Sequence, residues 1–335
     1  MNYIPIFKYK ERIDIKAYTL VNMNEKEEYV PLVELFLEEK IEMKQIDSKK
    51  KFYLSMLIEK NMQFHNAVDY FIDIASAHEN IIPVINSDYN YDNKKLSFKY
   101  AKKLFKKFEK VAIKINGIKD IFIRENFENI LLSVIDDYEN LDVFLDIDFA
   151  YNYTREQMIE YFGNAINYFL DEIDDEIRTF IISGSIVKVS SIGLDDFHAE
   201  DRCNTIKNNM LLAYYELKKI FPELNIKYSD YTIDEKYMFI DDIGGGNFYP
   251  AVKYTKNNGD ICIYKSPNIT EFKDYIKIAK MIESETFFSK SHCCGCEYIS
   301  DIANSRTDGK GTGNPSTWKT RMMCHHVETM YKLLA

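Results

Sequence analysis

Acidic and basic side chains recur at the ends of short apolar runs, and these residues are the strongest chemical signal in the sequence. In the stretch 142–149, Asp146 and Asp148 lie at the far end of a run of β-branched and aromatic residues. A strand buried on both faces reads as a near-continuous hydrophobic stretch, and its polar residues collect where it leaves the core. The other polar residues at such run ends are Lys8, Lys10, Glu34, Asp73, Asn86, Lys114, Asn116, Ser183, Ser185, Asp230 and Tyr231. If the strands are parallel, these side chains meet at one edge of the sheet.

Carboxylates interleaved with lysines suit a divalent ion and an anionic substrate, because hard cations prefer oxygen ligands and often bind beside phosphate oxygens. We expect Mg²⁺ or Mn²⁺, held by Asp146 together with Glu34 or Asp73. Residues two apart lie ~6–7 Å apart along a strand, so Asp148 is expected to support the ion indirectly. The competing interpretation is that these charges form ion pairs that fill the end of a barrel.

Lys114 has a further interpretation as a nucleophile. A lysine buried in a barrel loses its charge readily and can then form a Schiff base. The Ser183-Gly184-Ser185 sequence is not a G-x-S-x-G elbow, which argues against a hydrolase triad. The residues alone therefore identify no reaction. The candidates for a catalytic role are Lys8, Lys10, Glu34, Asp73, Lys114, Asp146 and Asp230.

Cysteine and histidine side chains form a second group near the C-terminus. Cys293 and Cys296 are separated by two residues, and Cys324, His325 and His326 follow later. Thiolates and imidazoles bind zinc tetrahedrally, so Zn²⁺ at Cys293 and Cys296 is the alternative metal. However, Cys324, His325 and His326 lack the spacing of a zinc knuckle. We expect the two histidines to lie at the start of a helix and to point in different directions. Packed thiols beside a hydrogen-bonded histidine pair are the competing interpretation.

Strand-like runs alternate with longer helical patterns, which is typical of βα units around a parallel sheet. The eight runs are 3–7, 29–36, 70–74, 81–85, 111–115, 142–147, 179–183 and 225–228. Helices are predicted near 11–25, 47–66, 94–109, 122–139, 154–174 and 200–221. This pattern predicts an α/β fold, a (β/α)8 TIM-like barrel over residues 1–240. Residues 75–80 are too short for a crossover helix, so we expect an irregularity between strands 3 and 4, and a doubly wound sheet is the alternative.

The pattern changes after the eighth run, and residues 241–335 are expected to pack on the barrel. Two β-like stretches flank an Asn-Asn-Gly turn, which predicts a β-hairpin. These stretches are 249–255 and 260–265, and they are followed by a helix over 270–285, a loop-rich segment over 289–317 and a last helix over 318–334. The triple glycine at 244–246 lacks the pattern of a phosphate loop and is predicted to form a turn.

Composition excludes several classes of protein. The net charge of −10 argues against non-specific binding of nucleic acid, which requires clustered Lys and Arg. One basic segment, 94–110, has the spacing of an amphipathic helix with a lysine face. The sequence has no apolar stretch long enough to span a bilayer and no secretory signal, so we expect a cytoplasmic protein without a membrane partner.

Six short motifs together resemble the phage "beta protein" family, whose members also occur in bacterial genomes. They are YIPIFKYK at 3–10, YVPLVEL at 29–35, IIPVIN at 81–86, YSDY at 228–231, VKYT at 252–255 and GNPSTWKTRMMCHHVE at 313–328. The resemblance implies a barrel-like α/β fold and a phage or antiphage-defence context, and it implies no established reaction. A phage or bacterial defence protein is the partner that this context suggests.

The resembling motifs also nominate residues for ligand binding, which are Tyr231, Tyr254, Asn314, Trp318, His325 and His326. We predict that residues 313–326 fold over the barrel mouth. This would bring Trp318 and one of the two histidines close to Lys8, Glu34 and Asp230. Two functions remain open. One is a barrel that recognises a ligand or partner, and the other is a metal-dependent enzyme acting on a phosphorylated or nucleotide-like substrate.

Overall fold

Eight parallel strands form a closed barrel in a computed structural model. The structure describes residues 2–9, 13–22, 29–36, 50–57, 64–86, 102–118, 141–173, 177–188, 203–236, 250–266, 274–304 and 311–335. The barrel strands are β1 (Tyr3–Lys8), β2 (Leu32–Phe36), β3 (Phe52–Leu57), β4 (Ile81–Asn86), β5 (Ala112–Asn116), β6 (Leu141–Asp146), β7 (Ile177–Gly184) and β9 (Ile226–Asp230). Because β1 pairs with both β2 and β9, the sheet has no free edge. The predicted TIM-like barrel is confirmed.

Helices lie between the strands, as the βα pattern requires. They include α1 (Asp14–Asn22), α2 (Phe64–Ser76), α3 (Arg155–Ile173) and α4 (Asn209–Ile220), and residues 102–107 are also helical. At the start of α3, the Thr154 backbone N–H donates to Gln157 Oε1 at 2.9 Å, and the Gln157 N–H donates to Thr154 Oγ1 at 3.2 Å. This reciprocal capping box fixes where the helix begins. The predicted helix 122–139 lies outside the described residues.

The prediction of the third strand was wrong. Residues 70–74 belong to α2, and the third strand, β3, lies within the predicted helix 47–66. In α2 the buried side chains of Val68, Phe71, Ile72 and Ala75 repeat at helical spacing. The order β3, α2, β4 is an ordinary βαβ unit, so the expected irregularity between strands 3 and 4 is absent.

A smaller antiparallel sheet adjoins the barrel. It consists of β8 (Cys203–Ile206), β10 (Ala251–Thr255) and β11 (Ile261–Lys265), in the order β10, β11, β8. The pairing of β10 with β11 confirms the predicted hairpin. In contrast, β8 occupies the start of the predicted helix 200–221. Since β8 comes from the connection between β7 and β9, the second sheet takes a strand from the part of the chain expected to form only the barrel.

The described residues of the C-terminal part include the helices α5 (Asp274–Glu283), α6 (Cys294–Ala303) and α7 (Pro315–Leu334). The predicted loop-rich segment 289–317 therefore contains α6. Helix α7 packs on α1, and the Thr320 hydroxyl donates to the Ile13 carbonyl at 3.3 Å. His325 and His326 lie in the middle of α7, where we had expected the start of a helix. No helix in the described ranges combines the length and apolarity needed to cross a membrane.

Candidate functional site

Polar side chains line the interior of the barrel near the carboxyl ends of its strands. Strand alternation places them on the same face as the apolar interior residues Ile6, Leu32 and Phe144. The strand register puts Lys8 beside Glu34 and Asn116 beside Asp146. We call this group the mouth cluster, and its members are Lys8, Glu34, Ser55, Asn86, Lys114, Asn116, Asp146, Ser183 and Tyr231, all at most 2% exposed. The active sites of TIM barrels lie at this end of the barrel.

Lys114 is the centre of the mouth cluster. Its ammonium forms ion pairs with Glu34 and with Asp146 Oδ2, the latter at 3.1 Å. It also donates to the Tyr231 hydroxyl at 2.6 Å, and that hydroxyl donates to Asp146 Oδ2 at 2.7 Å. Two carboxylates and a phenol oxygen therefore surround a single buried cation.

Electrostatics keep these groups charged. Burial alone would lower the pKa of Lys114, but the attraction of Glu34 and Asp146 outweighs it and raises that pKa above its usual value. Burial likewise opposes ionisation of Asp146, yet Lys236 and Lys114 hold its pKa below the usual range. A Schiff-base lysine needs a neutral amine. The environment of Lys114 works against that interpretation.

Lys236 is a member of the site that sequence reasoning missed. Its ammonium donates to Asn116 Oδ1 at 2.5 Å, pairs with Asp148 and lies 3.6 Å from Asp146 Oδ2. Its backbone N–H donates to Ser185 Oγ at 2.8 Å. Lys236 follows β9 in a turn, so no strand-end pattern marks it. We include Lys236 in the mouth cluster from here on.

Helix α7 reaches the mouth through a residue next to the predicted Trp318. Lys319 contacts Asp234 Oδ2 at 2.7 Å, and Lys8 contacts the same oxygen at 3.7 Å. Although burial would raise the pKa of Asp234, the charges of Lys8 and Lys319 hold it well below its usual range. Trp318 itself stacks on Tyr275 with ring centroids 4.9 Å apart. The segment 313–326 thus supplies Lys319 to the mouth, while the contacts of Trp318 lie among the C-terminal helices.

Asp230 and His326 meet outside the barrel interior. His326 Nε2 lies 3.1 Å from Asp230 Oδ2. Asp230 Oδ1 accepts hydrogen bonds from the Tyr3 hydroxyl and the Thr232 backbone N–H, both at 2.9 Å. His326 Nδ1 lies 2.8 Å from Thr255 Oγ1. Asp230 therefore joins β9 to α7 and does not face the mouth cluster, contrary to the prediction from the sequence.

The predicted divalent-ion ligands do not come together. Asp73 is exposed on α2, because the run that contained it is a helix and not a strand. Between the remaining two, Glu34 and Asp146, lies the ammonium of Lys114. The mouth cluster already holds a cation at that position. Lys10 lies outside the described residues.

The cysteine and histidine group does come together. The structure brings together Cys293, Cys296 and His325, all of them buried. Among the described residues, this is the group whose ligand atoms lie close enough to share one metal ion. Tyr254 stacks on His325 with ring centroids 4.1 Å apart, so this predicted ligand-binding tyrosine belongs to the same group. His326 and Cys324 point elsewhere: His326 contacts Asp230, and Cys324 Sγ lies 2.8 Å from Cys294 Sγ.

Asn314, another predicted ligand-binding residue, caps α7. Its side-chain Oδ1 accepts from the Thr317 backbone N–H at 2.9 Å, and Pro315 occupies the first turn. Loss of such a cap costs about 1 kcal/mol. We expect Asn314→Ala to lower the free energy of unfolding in urea by about that amount. Asn314→Asp keeps the acceptor and should be nearly neutral, and equal losses in both variants would contradict a capping role.

A cavity of about 440 Å³ lies at the opposite end of the barrel, where the strands begin. Arg178 and Tyr53 are among its lining residues, and both donate to Asp142: Arg178 Nε to Oδ1 at 3.0 Å and the Tyr53 hydroxyl to Oδ2 at 2.8 Å. Polar groups at the amino end of a TIM barrel serve stability more often than chemistry. We therefore place the candidate site at the mouth cluster.

The fold and the site together define a TIM-like α/β barrel with a charged, buried mouth. The chain matches the model of the family described as "Beta protein" over residues 3–332, and it belongs to that family. The family resemblance seen in the sequence motifs is confirmed.

Comparison with other proteins adds a distant structural likeness. No curated protein matches the chain. Among solved structures, the chain is similar to the biosynthetic arginine decarboxylase of Campylobacter jejuni, with 11% sequence identity and a TM-score of 0.39. The match covers 99% of this chain and 56% of the decarboxylase, so the chain spans about half the length of that protein.

Proposed function

We propose that the protein is a ligand-recognising barrel, and that its mouth cluster binds a small polar molecule carrying hydroxyl or amino groups. One observation carries this proposal. Glu34 Oε2 and Ser55 Oγ are buried and have no hydrogen-bond partner among the described residues. Buried polar atoms in native proteins are nearly always hydrogen-bonded, so such atoms inside a barrel mouth suit a bound donor.

The two atoms are placed to act together. Glu34 and Ser55 are register partners on the neighbouring strands β2 and β3, and both are at most 1% exposed. The other carboxylate oxygen of Glu34 is held by Lys114, which fixes the orientation of the group. A ligand O–H or N–H can therefore meet a carboxylate oxygen that needs no rearrangement, and this reduces the entropic cost of binding.

The charge state of the cluster favours binding over proton transfer. A general acid or base works best with a pKa near the operating pH. Here the pKa of Lys114 is raised by its carboxylate partners, that of Asp146 is lowered by Lys236 and Lys114, and burial raises that of Tyr231 well above its usual value. All three pKa values are therefore moved away from neutral pH, which keeps Lys114 and Asp146 charged and Tyr231 neutral, as suits a fixed recognition surface.

The metal-dependent alternative has less support at this position, since Lys114 already neutralises Glu34 and Asp146. In the phage or antiphage context that the family resemblance implies, the barrel would act as a sensor whose ligand state is read by a defence or phage protein. Helix α7 is the natural element to carry that signal, because Lys319 joins it to Asp234 at the mouth.

Ser55→Ala provides the test of ligand binding. Removing an unpaired buried hydroxyl should leave the melting temperature of the free protein unchanged or slightly raised. The wild type should be screened by thermal shift against sugars, nucleosides and amino acids, with and without phosphate groups. We expect a donor-rich compound to stabilise the wild type, and the same compound to bind Ser55→Ala about tenfold more weakly in calorimetry, the loss of one hydrogen bond.

The matched control is Thr205→Ala, which removes a hydroxyl from β8, outside the barrel. This variant should bind the compound with wild-type affinity. Equal affinity of wild type and Ser55→Ala for every compound that binds would overturn the proposed site.

A further inference from the structure

We propose that Cys293, Cys296 and His325 bind a structural zinc ion that fastens helices α6 and α7 to the smaller sheet. This site is separate from the mouth cluster and does not depend on the proposed ligand. Cys293 immediately precedes α6, Cys296 lies in its first turn, and His325 comes from the middle of α7. The metal would thus link two helices that are joined by a long connection.

The distances between the three ligand atoms fit a tetrahedral ion. Cys293 Sγ and Cys296 Sγ are 3.8 Å apart, and each sulfur lies 3.4 Å from His325 Nδ1. With Zn–S bonds of ~2.3 Å and Zn–N bonds of ~2.0 Å at tetrahedral angles, the expected separations are ~3.8 Å between sulfurs and ~3.5 Å between sulfur and nitrogen. The three atoms are arranged as if around one centre.

The hydrogen bond on the far side of the histidine selects the required tautomer. His325 Nε2 lies 2.7 Å from the Thr255 carbonyl oxygen, which can only accept, so Nε2 carries the proton. The lone pair of Nδ1 then faces the two sulfurs. Zinc-binding histidines commonly donate their other ring N–H to a carbonyl or carboxylate in this way. Through Thr255 the site is also tied to β10.

The surroundings favour a closed site over a catalytic one. Cys296 and His325 are fully buried and Cys293 is 6% exposed. Tyr254 covers the imidazole face, and its hydroxyl lies 3.6 Å from Cys296 Sγ. The described residues supply three ligands, and a water molecule or a further donor would complete the tetrahedron. A site so enclosed suits a structural metal ion that holds helices and strands together.

A glycine allows the two helices to approach closely enough. A Cβ at Gly295 would lie 2.5 Å from the Arg321 carbonyl oxygen and 3.0 Å from His325 Cβ. Any larger residue at position 295 would therefore push α6 away from α7. The Cys-Gly-Cys sequence places both a ligand and the close contact at the point where the helices meet.

The experiment is a metal analysis of the full chain, purified without a histidine tag under reducing conditions. We expect one zinc per chain by mass spectrometry of the digested protein. Cys296→Ser and His325→Ala should each retain less than about a tenth of that zinc, because a lost ligand weakens the site strongly. Cys294→Ser is the matched control: it lies between the two ligand cysteines but contacts Cys324, and it should keep the full zinc content.

Cobalt titration keeps the test decisive if a ligand variant fails to fold. Co²⁺ added to the metal-free wild type should give the visible absorption of a tetrahedral thiolate site, saturating at one equivalent and disappearing when Zn²⁺ is added. A reduced wild type that contains no zinc and takes up no cobalt overturns the proposal. So does full zinc retention in both folded ligand variants, or a Cys293–Cys296 disulfide in place of bound metal.

Discussion

Lys114→Met should lower the free energy of unfolding by about 3–5 kcal/mol, the cost of removing one partner from a buried ion pair. The Lys114 side chain is fully buried between Glu34 and Asp146. Asp146 keeps Lys236 nearby, but the ion pair that the structure describes for Glu34 is with Lys114 alone. The variant therefore leaves a carboxylate in a low-dielectric interior without its cation. Urea unfolding at neutral pH measures the effect.

The double variant Glu34→Gln/Lys114→Met separates charge from packing. It removes the uncompensated carboxylate while leaving the methionine in place. We expect it to recover at least half of the lost stability, because replacing both members of a buried pair is often close to neutral. Strict additivity of the two single changes would show that the pair is not coupled in the folded protein.

The pH dependence of stability should differ between the wild type and Lys114→Met on the alkaline side. In the wild type, the lowered pKa of Asp146 contributes stability that is present above its unfolded value of 3.8 and is lost as pH falls below that value. The raised pKa of Lys114 contributes stability that is complete below 10.5 and is lost as pH rises through the folded value. Lys114→Met lacks this alkaline contribution, so the difference in stability between the wild type and the variant should shrink as the pH rises through the raised folded pKa of Lys114. Chemical unfolding of the two proteins at neutral pH and above pH 10.5 measures this difference.

Sequence reasoning recovered the barrel because buried parallel strands are marked by continuous apolar runs. Where the reasoning failed, at 70–74, a short apolar run was ambiguous between strand and buried helix. The correct strand, β3, carries Ser55 at its centre and follows three lysines, which made it look less apolar than its neighbour α2. The misplaced strand in turn put Asp73 at the mouth. The wrong assignment of residues 70–74 thus left Ser55 out of the predicted site and placed the exposed carboxylate of Asp73 in it.

The mouth cluster could be predicted only in part for a related reason. Glu34, Lys114 and Asp146 lie on predicted strands and follow from alternation, but their mutual contacts depend on register, which a single sequence does not reveal. Lys236 and Lys319 reach the mouth from a turn and a helix, where no periodic pattern distinguishes them from surface lysines. The meeting of Cys293, Cys296 and His325 likewise depends on how α6 packs on α7.

Asp230→Ala should destabilise the protein by about 3–5 kcal/mol, as loss of a buried charge partner does. The substitution removes a fully buried carboxylate that accepts hydrogen bonds from three donors. Tyr3, His326 and the Thr232 backbone would all lose their acceptor. Asn at the same position keeps one carbonyl oxygen for Tyr3 and Thr232, and its amide can donate to His326 once the imidazole proton moves to the nitrogen facing Thr255. Asp230→Asn should therefore lose less than half as much stability.

The elements that exchange faster in Asp230→Ala show whether Asp230 mainly fastens α7 to the barrel or stabilises the core as a whole. Asp230 joins the last barrel strand to α7, so its loss should free that helix while the barrel remains paired. Hydrogen exchange of Asp230→Ala at neutral pH should show faster exchange across α7 and in β10 than in β5 and β6, which lie elsewhere in the barrel. Uniform acceleration across all four elements would mean that α7 and the barrel unfold as a single unit. If Asp230 fastens α7 to the barrel in this way, α7 should also be the first element to respond when a ligand rearranges Asp234 and Lys319 at the mouth.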